Sequence, residues 1–448
     1  MNTNIAASHP PESGVDNTYV HTLDRQYVFH SWAQQGSLDP MVIAGAEGCR
    51  VWDYVGRSYL DFSSQLVNTN IGHQHPKVVS AIQAQAASLC TIAPAHANLA
   101  RGEAAKRIIA KAPAGFSKVF FTNAGADANE NAIRMARLYT GRSKILSAYR
   151  SYHGNTGSAI AATGDWRRVP NEYASGHVHF FNPYLYRSEF WARNEEEECE
   201  RALQHLRRVI ECEGANAVAA ILLETIPGTA GVLLPLKADL QGVRKLADEF
   251  GIVLILDEVM AGFGRTGRWF AFEHYDMAPD LIVFAKGVNS GYVPAGGVII
   301  SESISRYFDD HFFVGGLTYS GHPLAMAAIV ATLDAMEAEG VVKNADAVGN
   351  GPLAAGLQQL AERYAIIGDW RGVGVFHALE LVSDPVYKTP LPGAAVLQLK
   401  QQLMENGLLV FTVENRIHVV PPCIVTAAEV EEGLAILDRV LKNCTASR

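Results

Sequence analysis

Between residues 118 and 301 the chain repeats one pattern: a strand-length apolar run, a turn of small or polar residues, then a stretch with helical spacing. The apolar runs fall at 118–122, 144–148, 218–224, 252–257 and 281–285. This alternation leaves few folds open. A strand that is apolar along its whole length is buried on both faces, and only covering helices can bury it so. Strands alternating with helices assemble into a parallel, helix-covered sheet. One more run, Gly297-Val-Ile-Ile-Ser301, follows its predecessor too closely for a crossover helix and is expected to join antiparallel. The class is therefore α/β with a large, mixed but mostly parallel sheet.

Three of the runs end in charge. Val218-Ala-Ala-Ile-Leu-Leu-Glu224 and Ile252-Val-Leu-Ile-Leu-Asp257 close on carboxylates, and Asp280-Leu-Ile-Val-Phe-Ala-Lys286 closes on a lysine. Ligands of such sheets bind beyond the carboxyl ends of the strands, so the three groups face one crevice. A lysine held there can lose its proton and become a nucleophilic amine. An aspartate held there can pair with a cationic ring nitrogen. These are the two protein groups that a pyridoxal phosphate enzyme requires. A carboxylate at Glu224 cannot stay buried and unpaired, so it must face the site, bind an arginine or meet water. Val259, two residues beyond Asp257, shares its face and is placed to cover one side of a ring.

Two turns supply the remaining parts. Phe120-Phe121-Thr122-Asn123-Ala124-Gly125-Ala126 leads a strand into a helix with Ala128, Ala132, Met135, Ala136 and Tyr139 on one face and Gly141 as its stop. The free N–H groups at Gly125 and Ala126 can hold a phosphate. In Tyr149-Arg150-Ser151-Tyr152-His153-Gly154, Tyr152 can stack on a flat cofactor, and His153 can support it or bind substrate. A polar loop, Gly315 to Pro323, offers Thr318 as a further phosphate contact.

Net charge is −9 and the basic residues are not clustered, which argues against a nucleic-acid or anionic-membrane surface. Cys49, Cys90, Cys199, Cys212, Cys423 and Cys444 are scattered without a CxxC, so reduced thiols in a cytoplasmic protein are expected, with no bound metal. Met1 to Gly14 lacks the basic flank and apolar core of a secretory signal, and no apolar run approaches the ~20 residues of a membrane helix. The expected outline begins with a loose arm over 1–18, a short helix over 20–35, and β runs at 41–44, 51–52 and 59–62. Glu195 to Glu198 reads as a solvated helix start. Pro323 opens a helix that ends by Gly340. Two helices, β runs at 373–382 and 408–420, and a last helix from about 426 complete the chain.

These residues resemble the class III pyridoxal phosphate aminotransferases, the ω-aminotransferase group. The likeness rests on Leu256-Asp257-Glu258-Val259-Met260-Ala261-Gly262-Phe263-Gly264-Arg265-Thr266-Gly267, on Pro279-Asp280-Leu281 and Ala285-Lys286-Gly287, and on the stretches Ile71 to Pro76 and Ile367 to Gly372. Thr318-Tyr319-Ser320-Gly321-His322-Pro323 is similar to the ω-amino acid:pyruvate branch. The resemblance runs from about residue 25 to about 440. It implies the aspartate-aminotransferase type of fold (fold type I), with a large cofactor-binding domain over 76–330. A small α+β domain would draw on 1–75, which also holds the N-terminal arm, and on 331–448.

A homodimer with active sites at the subunit interface is implied as well, dimer against tetramer being open. By matching positions, Lys286 would hold the cofactor as a Schiff base and shuttle a proton. Asp257 would keep the pyridine nitrogen protonated, and Gly125 and Ala126 would bind the phosphate. Tyr152 and Val259 would sandwich the ring, with His153 and Glu224 completing the cofactor set. Thr318 would reach the phosphate in the partner subunit. The implied reaction is a ping-pong transfer from an ω-amino acid or amine donor (taurine, β-alanine or 4-aminobutyrate) to a keto acid, with pyruvate ranked first. The alternative is a decarboxylating or phospho-eliminating lyase on the same cofactor.

Three departures touch the cofactor and substrate contacts. Ala124 stands where the family often has serine. Leu66-Val67 replaces a Leu-Trp pair, which widens the expected pocket. Phe411 occupies the place of a mobile, carboxylate-binding arginine, with Arg416 displaced by several residues, so either Arg416 substitutes or carboxylate recognition differs.

Overall fold

The computed structural model describes residues 15–171 and 174–446. Its centre is a seven-stranded sheet. From one edge to the other the strands are Phe116–Thr122, Gly296–Ser301, Leu281–Phe284, Val253–Asp257, Val218–Glu224, Lys144–Ala148 and His177–Phe180. Gly296–Ser301 pairs antiparallel with both its neighbours, and the other pairings are parallel. The middle strands are buried at every position, which is why their sequences are unbroken apolar runs. Helices Gly125–Thr140, Glu195–Glu213 and Lys237–Phe250 connect or cover them.

A second β layer joins distant parts of the chain. Gly45–Glu47, Arg50–Trp52 and Ser58–Asp61 form an antiparallel meander, and Leu408–Leu409 adds in parallel beside Leu60 and Asp61. Ile367–Val373, Phe376–Asp384, Arg416–Val419 and Phe411–Val413 form another antiparallel sheet, with Thr389–Pro390 on its margin. Arg265, wholly buried, fastens these parts together. Its guanidinium donates to the Pro421 carbonyl, to Asn70 Oδ1 at 2.7 Å and to Ser64 Oγ at 3.2 Å.

Several local expectations need correction. The arm expected over 1–18 lies outside the described residues as far as residue 14, and the helix expected over 20–35 is Asn17–Tyr27. Asp16 starts it early by accepting the Tyr19 amide at 2.7 Å, and extended backbone at Val28 ends it. Met41 to Ala44 is not a strand. Pairing begins at Gly45, where a Cβ would meet the Trp52 ring at 2.8 Å. The strand His177–Phe180 was not expected, and the β runs expected around 373–382 are Ile367–Val373, which starts earlier, and Phe376–Asp384. Beyond 341 the helices before the last are Val341–Val348, Ala354–Arg363 and Gly393–Glu405, one more than expected. Tyr139 is part-exposed, with its ring edge against Tyr307. The acidic helix start is capped by Asn194, but Glu198 is buried rather than solvated: it accepts the Tyr184 amide and the Ser188 hydroxyl.

Candidate active site

The charged strand ends meet as their positions required. Glu224 and Asp257 are register partners at the carboxyl ends of adjacent strands, and Asp257 is also in register with Val283 on the next strand. Lys286 stands two residues beyond that strand and opens a short 3-10 turn. Its φ is +43°, in the left-handed region, where a side chain costs on the order of 1–3 kcal/mol. Such strain is held only where the surroundings fix it.

Asp257 is buried and has three partners. Oδ2 accepts from Asn129 Nδ2 and from His153 Nδ1, each at 2.8 Å, and Oδ1 accepts the Val259 amide at 3.0 Å. Three donors fix the orientation of this carboxylate. Asn129 also donates to the His153 carbonyl at 2.8 Å, so it fixes both neighbours. Nε2 of His153 and Oδ1 of Asn129 are buried without a protein partner. Glu224 uses neither an arginine nor open solvent. Its two oxygens accept the backbone amides of Tyr152 at 3.0 Å and Gly228 at 2.8 Å. Burial pushes the Glu224 carboxyl above the usual range, and the charge of Asp257 adds to the effect.

Lys286 makes no ion pair with Asp257: among the described residues, its Nζ has no hydrogen-bond or ion-pair partner. Burial strips water from the ammonium and lowers it from 10.5 to about 8, against the opposing pull of Asp257 and Glu224. The result is an unpaired amine poised near neutrality beside a carboxylate held by three donors.

The phosphate-sized element lies alongside. Helix Gly125–Thr140 has Ala124 as its N-cap, with no side-chain cap, so its first amides are free. A Cβ at Gly125 would sit 3.0 Å from a Val259 methyl, which puts Val259 directly against this turn. Tyr152 is half-buried, with the Arg167 guanidinium 4.1 Å from its ring centre. An uncapped helix start, a buried carboxylate held by three donors, an unpaired amine and an aromatic ring are the donor set that a phosphorylated pyridine aldehyde needs.

The outer residues are less gathered. Thr318 is exposed on its loop, and neighbouring Ser320 Oγ donates to the Phe121 carbonyl at 2.8 Å, which moors the loop to the strand that feeds the helix start. Leu66 is exposed, whereas Val67 is buried in an apolar cluster with Ile226, Val232 and Phe376. Both sit in a strained turn, with positive φ at Ser64, Gln65 and Val67. Phe411 packs against that cluster, its ring centre 5.1 Å from that of His418. Arg416 lies with its stem over Gly231.

Sequence reasoning missed Asn129 and Arg167. Asn129 sits one turn after Gly125 on the buried helix face, where a polar residue has to find a polar partner. Arg167 had no sequence signal, because only the fold brings it to Tyr152.

Comparison with known proteins gives matches over nearly the whole chain. The family model described as Aminotransferase class-III matches residues 32–441. The taurine–pyruvate aminotransferase of Rhodobacter capsulatus is 33% identical over 96% of this chain and 98% of its own. The acetylornithine aminotransferase of Caldanaerobacter subterraneus is 34% identical over 94% of this chain and 99% of its own. A crystal structure of taurine:2-oxoglutarate aminotransferase from Bifidobacterium kashiwanohense, in complex with PLP and glutamate, superposes with a TM-score of 0.93. It is 42% identical and covers 96% of this chain and 98% of that one.

Proposed function

Since the chain belongs to the class III aminotransferases, pyridoxal phosphate enzymes that move an amino group to a keto acid, we propose that Lys286 and Asp257 are its catalytic pair. Lys286 would hold the cofactor covalently, and its freed amine would move the proton at the substrate's amine carbon. Asp257 would hold a proton on the ring nitrogen, with Asn129 and His153 keeping the carboxylate oriented. Pyridoxal phosphate, when bound, supplies the electron sink for the charge that develops at that carbon. Gly125 and Ala126 offer backbone N–H groups to the phosphate. Tyr152 and Val259 cover the two ring faces, and Glu224 fixes the backbone beneath Tyr152. The observation that carries the reading is the set of three strand ends: Glu224 in register with Asp257, and an unpaired Lys286 beyond the next strand.

The amine donor in this reading is an ω-amino acid such as taurine, and the acceptor is a keto acid, pyruvate or a dicarboxylic one. Leu66, Val67, Phe411 and Arg416 shape the substrate side. The protein works as a cytoplasmic homodimer, with Thr318 reaching the phosphate in the partner subunit. Supporting the dimer, Tyr27, Phe29, Trp32, Phe312 and Tyr319 are large rings left exposed on one chain.

The test is the isolated half-reaction. Holoenzyme mixed with donor alone should lose its visible absorbance in one turnover and recover it when a keto acid is added. If the absorbance persists with every ω-amino acid and primary amine tried, the transaminase assignment fails.

A further inference from the structure

The turn that carries Lys286 is left-handed at three places, with φ of +43° at Lys286, +56° at Ser290 and +73° at Gly291. The first two bear side chains, and such backbone persists only where its surroundings over-determine it. The segment 68–71, which leaves the turn of Leu66 and Val67, supplies those surroundings. A Cβ at Gly287 would lie 2.3 Å from Asn70 Nδ2, and a Cβ at Gly291 would lie 2.4 Å from Asn68 Nδ2. The Ile71 amide donates to Ser290 Oγ at 2.9 Å. Residues 68, 70 and 71 thus run along the turn, and the missing side chain of Gly287 lets Asn70 press on the backbone next to Lys286.

Asn70 is itself immobilised. It is buried, and its carboxamide is engaged at both ends. Nδ2 donates to the Phe263 carbonyl at 2.7 Å, and Oδ1 accepts from Arg265 Nη2 at 2.7 Å. Its backbone carbonyl accepts the Cys423 amide at 2.8 Å. A buried amide satisfied on each side cannot turn without leaving a polar group unpaired, and that is costly. Asn70 is therefore a rigid wedge between Arg265 and Gly287. The charges that act on Lys286 are Asp257 and Glu224, which favour its ammonium, and Arg265, which opposes it. Asn70 anchors Arg265 and braces the backbone of Lys286 at once.

We propose that Asn70 is a positioning residue for the reaction: it fixes the turn after Lys286 and so keeps the amine withdrawn from water and from Asp257. The inference rests on the reading of Lys286 as the amine that holds the cofactor, and deepens it. Without the wedge the turn relaxes, and the side chain reaches solvent or the Asp257 carboxylate. Either contact favours the ammonium over the reactive amine. The same segment closes the turn of Leu66 and Val67, so the substrate wall and the nucleophile share one brace.

The test compares wild type with Asn70→Ala, Gly287→Ala, the double variant and a control, Asn194→Ala, which removes a helix cap elsewhere. All are full chains, with folding checked by melting temperature. Two quantities are read. One is the pH at which acylation of Lys286 in the cofactor-free chain bends to a plateau, followed by peptide mass spectrometry. The other is the rate at which added pyridoxal phosphate is captured at pH 7.5, followed by visible absorbance. Asn70→Ala and Gly287→Ala should each move the bend up by about one pH unit and slow capture about eightfold, the matching loss of unprotonated amine. The double variant should be no worse than either single one, because removing the wedge makes room for the added methyl. Asn194→Ala should lower the melting temperature and leave both readouts where they are. An unmoved bend with unchanged capture in folded Asn70→Ala overturns the proposal, as does an equal shift in Asn194→Ala. If Asn70→Ala fails to fold, Gly287→Ala decides by the same two readouts. A wild-type holoenzyme whose absorbance never responds to any donor would instead defeat the transaminase reading, leaving the acylation profile to judge Asn70 by itself.

Discussion

The amine of Lys286 should be reactive at a pH where an ordinary lysine is not. Burial lowers it from 10.5 to about 8. Near pH 7.5 a group at about 8 is roughly one quarter unprotonated, whereas a group at about 10.5 is roughly one part in a thousand. The nucleophilic fraction is then about 240-fold larger. The assay is acylation of the cofactor-free chain with a limiting reagent across pH, followed by peptide mass spectrometry. The labelling rate of Lys286 should bend to a plateau near pH 8. The Asp257→Asn variant should move the bend to lower pH, because the charge of Asp257 favours the ammonium. A Lys286 rate that still climbs tenfold per pH unit between about 8 and about 10 would refute the argument that burial tunes this amine.

Two further outcomes follow from the contacts. Glu380 is buried. Burial alone would raise its carboxyl, but hydrogen bonds from Tyr184 and Arg187 and the charge of Arg371 outweigh that and hold it at about 2, below its usual 4.5. A carboxyl depressed in the folded state stabilises above its unfolded value and loses that contribution as pH falls from about 4.5 towards 2, here about 3 kcal/mol. Glu380→Gln should therefore unfold more readily at pH 7, and its stability should depend less on pH in that window; equal acid-unfolding curves for variant and wild type would contradict this. Gly125→Ala would press its methyl to 3.0 Å from Val259 and should weaken cofactor binding roughly tenfold by fluorescence titration. Gly102→Ala, with nothing within 4 Å, should leave it unchanged.

What the sequence revealed and what it hid follow from burial and distance. Strands covered on both faces must be apolar throughout, so Val218–Glu224, Val253–Asp257 and Leu281–Phe284 were legible together with the charges that close them. The edge strand His177–Phe180 pairs on one side only and carries histidines at alternate positions, so it has no apolar run to read. Glu198 looked solvated because its real partners, the Tyr184 amide and the Ser188 hydroxyl, come from a preceding loop that periodicity does not describe. Asn129 was hidden for a related reason: Asp257 lies far along the chain, and only the turn at Gly125 brings the two together.

Arg416 shows how one hairpin can bring two side chains to the same loop. Phe411 is in register with His418 across the hairpin, and His418 Nε2 lies 2.8 Å from the Gly228 carbonyl. Residues two apart on a strand point the same way, so Arg416 shares the face of His418. Arg416 accordingly reaches the same loop one step further on, at Thr229 and Gly231. The 228–231 loop thus meets the cation of Arg416 from the facing strand, at the mouth of the hairpin rather than beside the ring of His418. That displacement puts Arg416 on the wall of a cleft that Arg167 also lines.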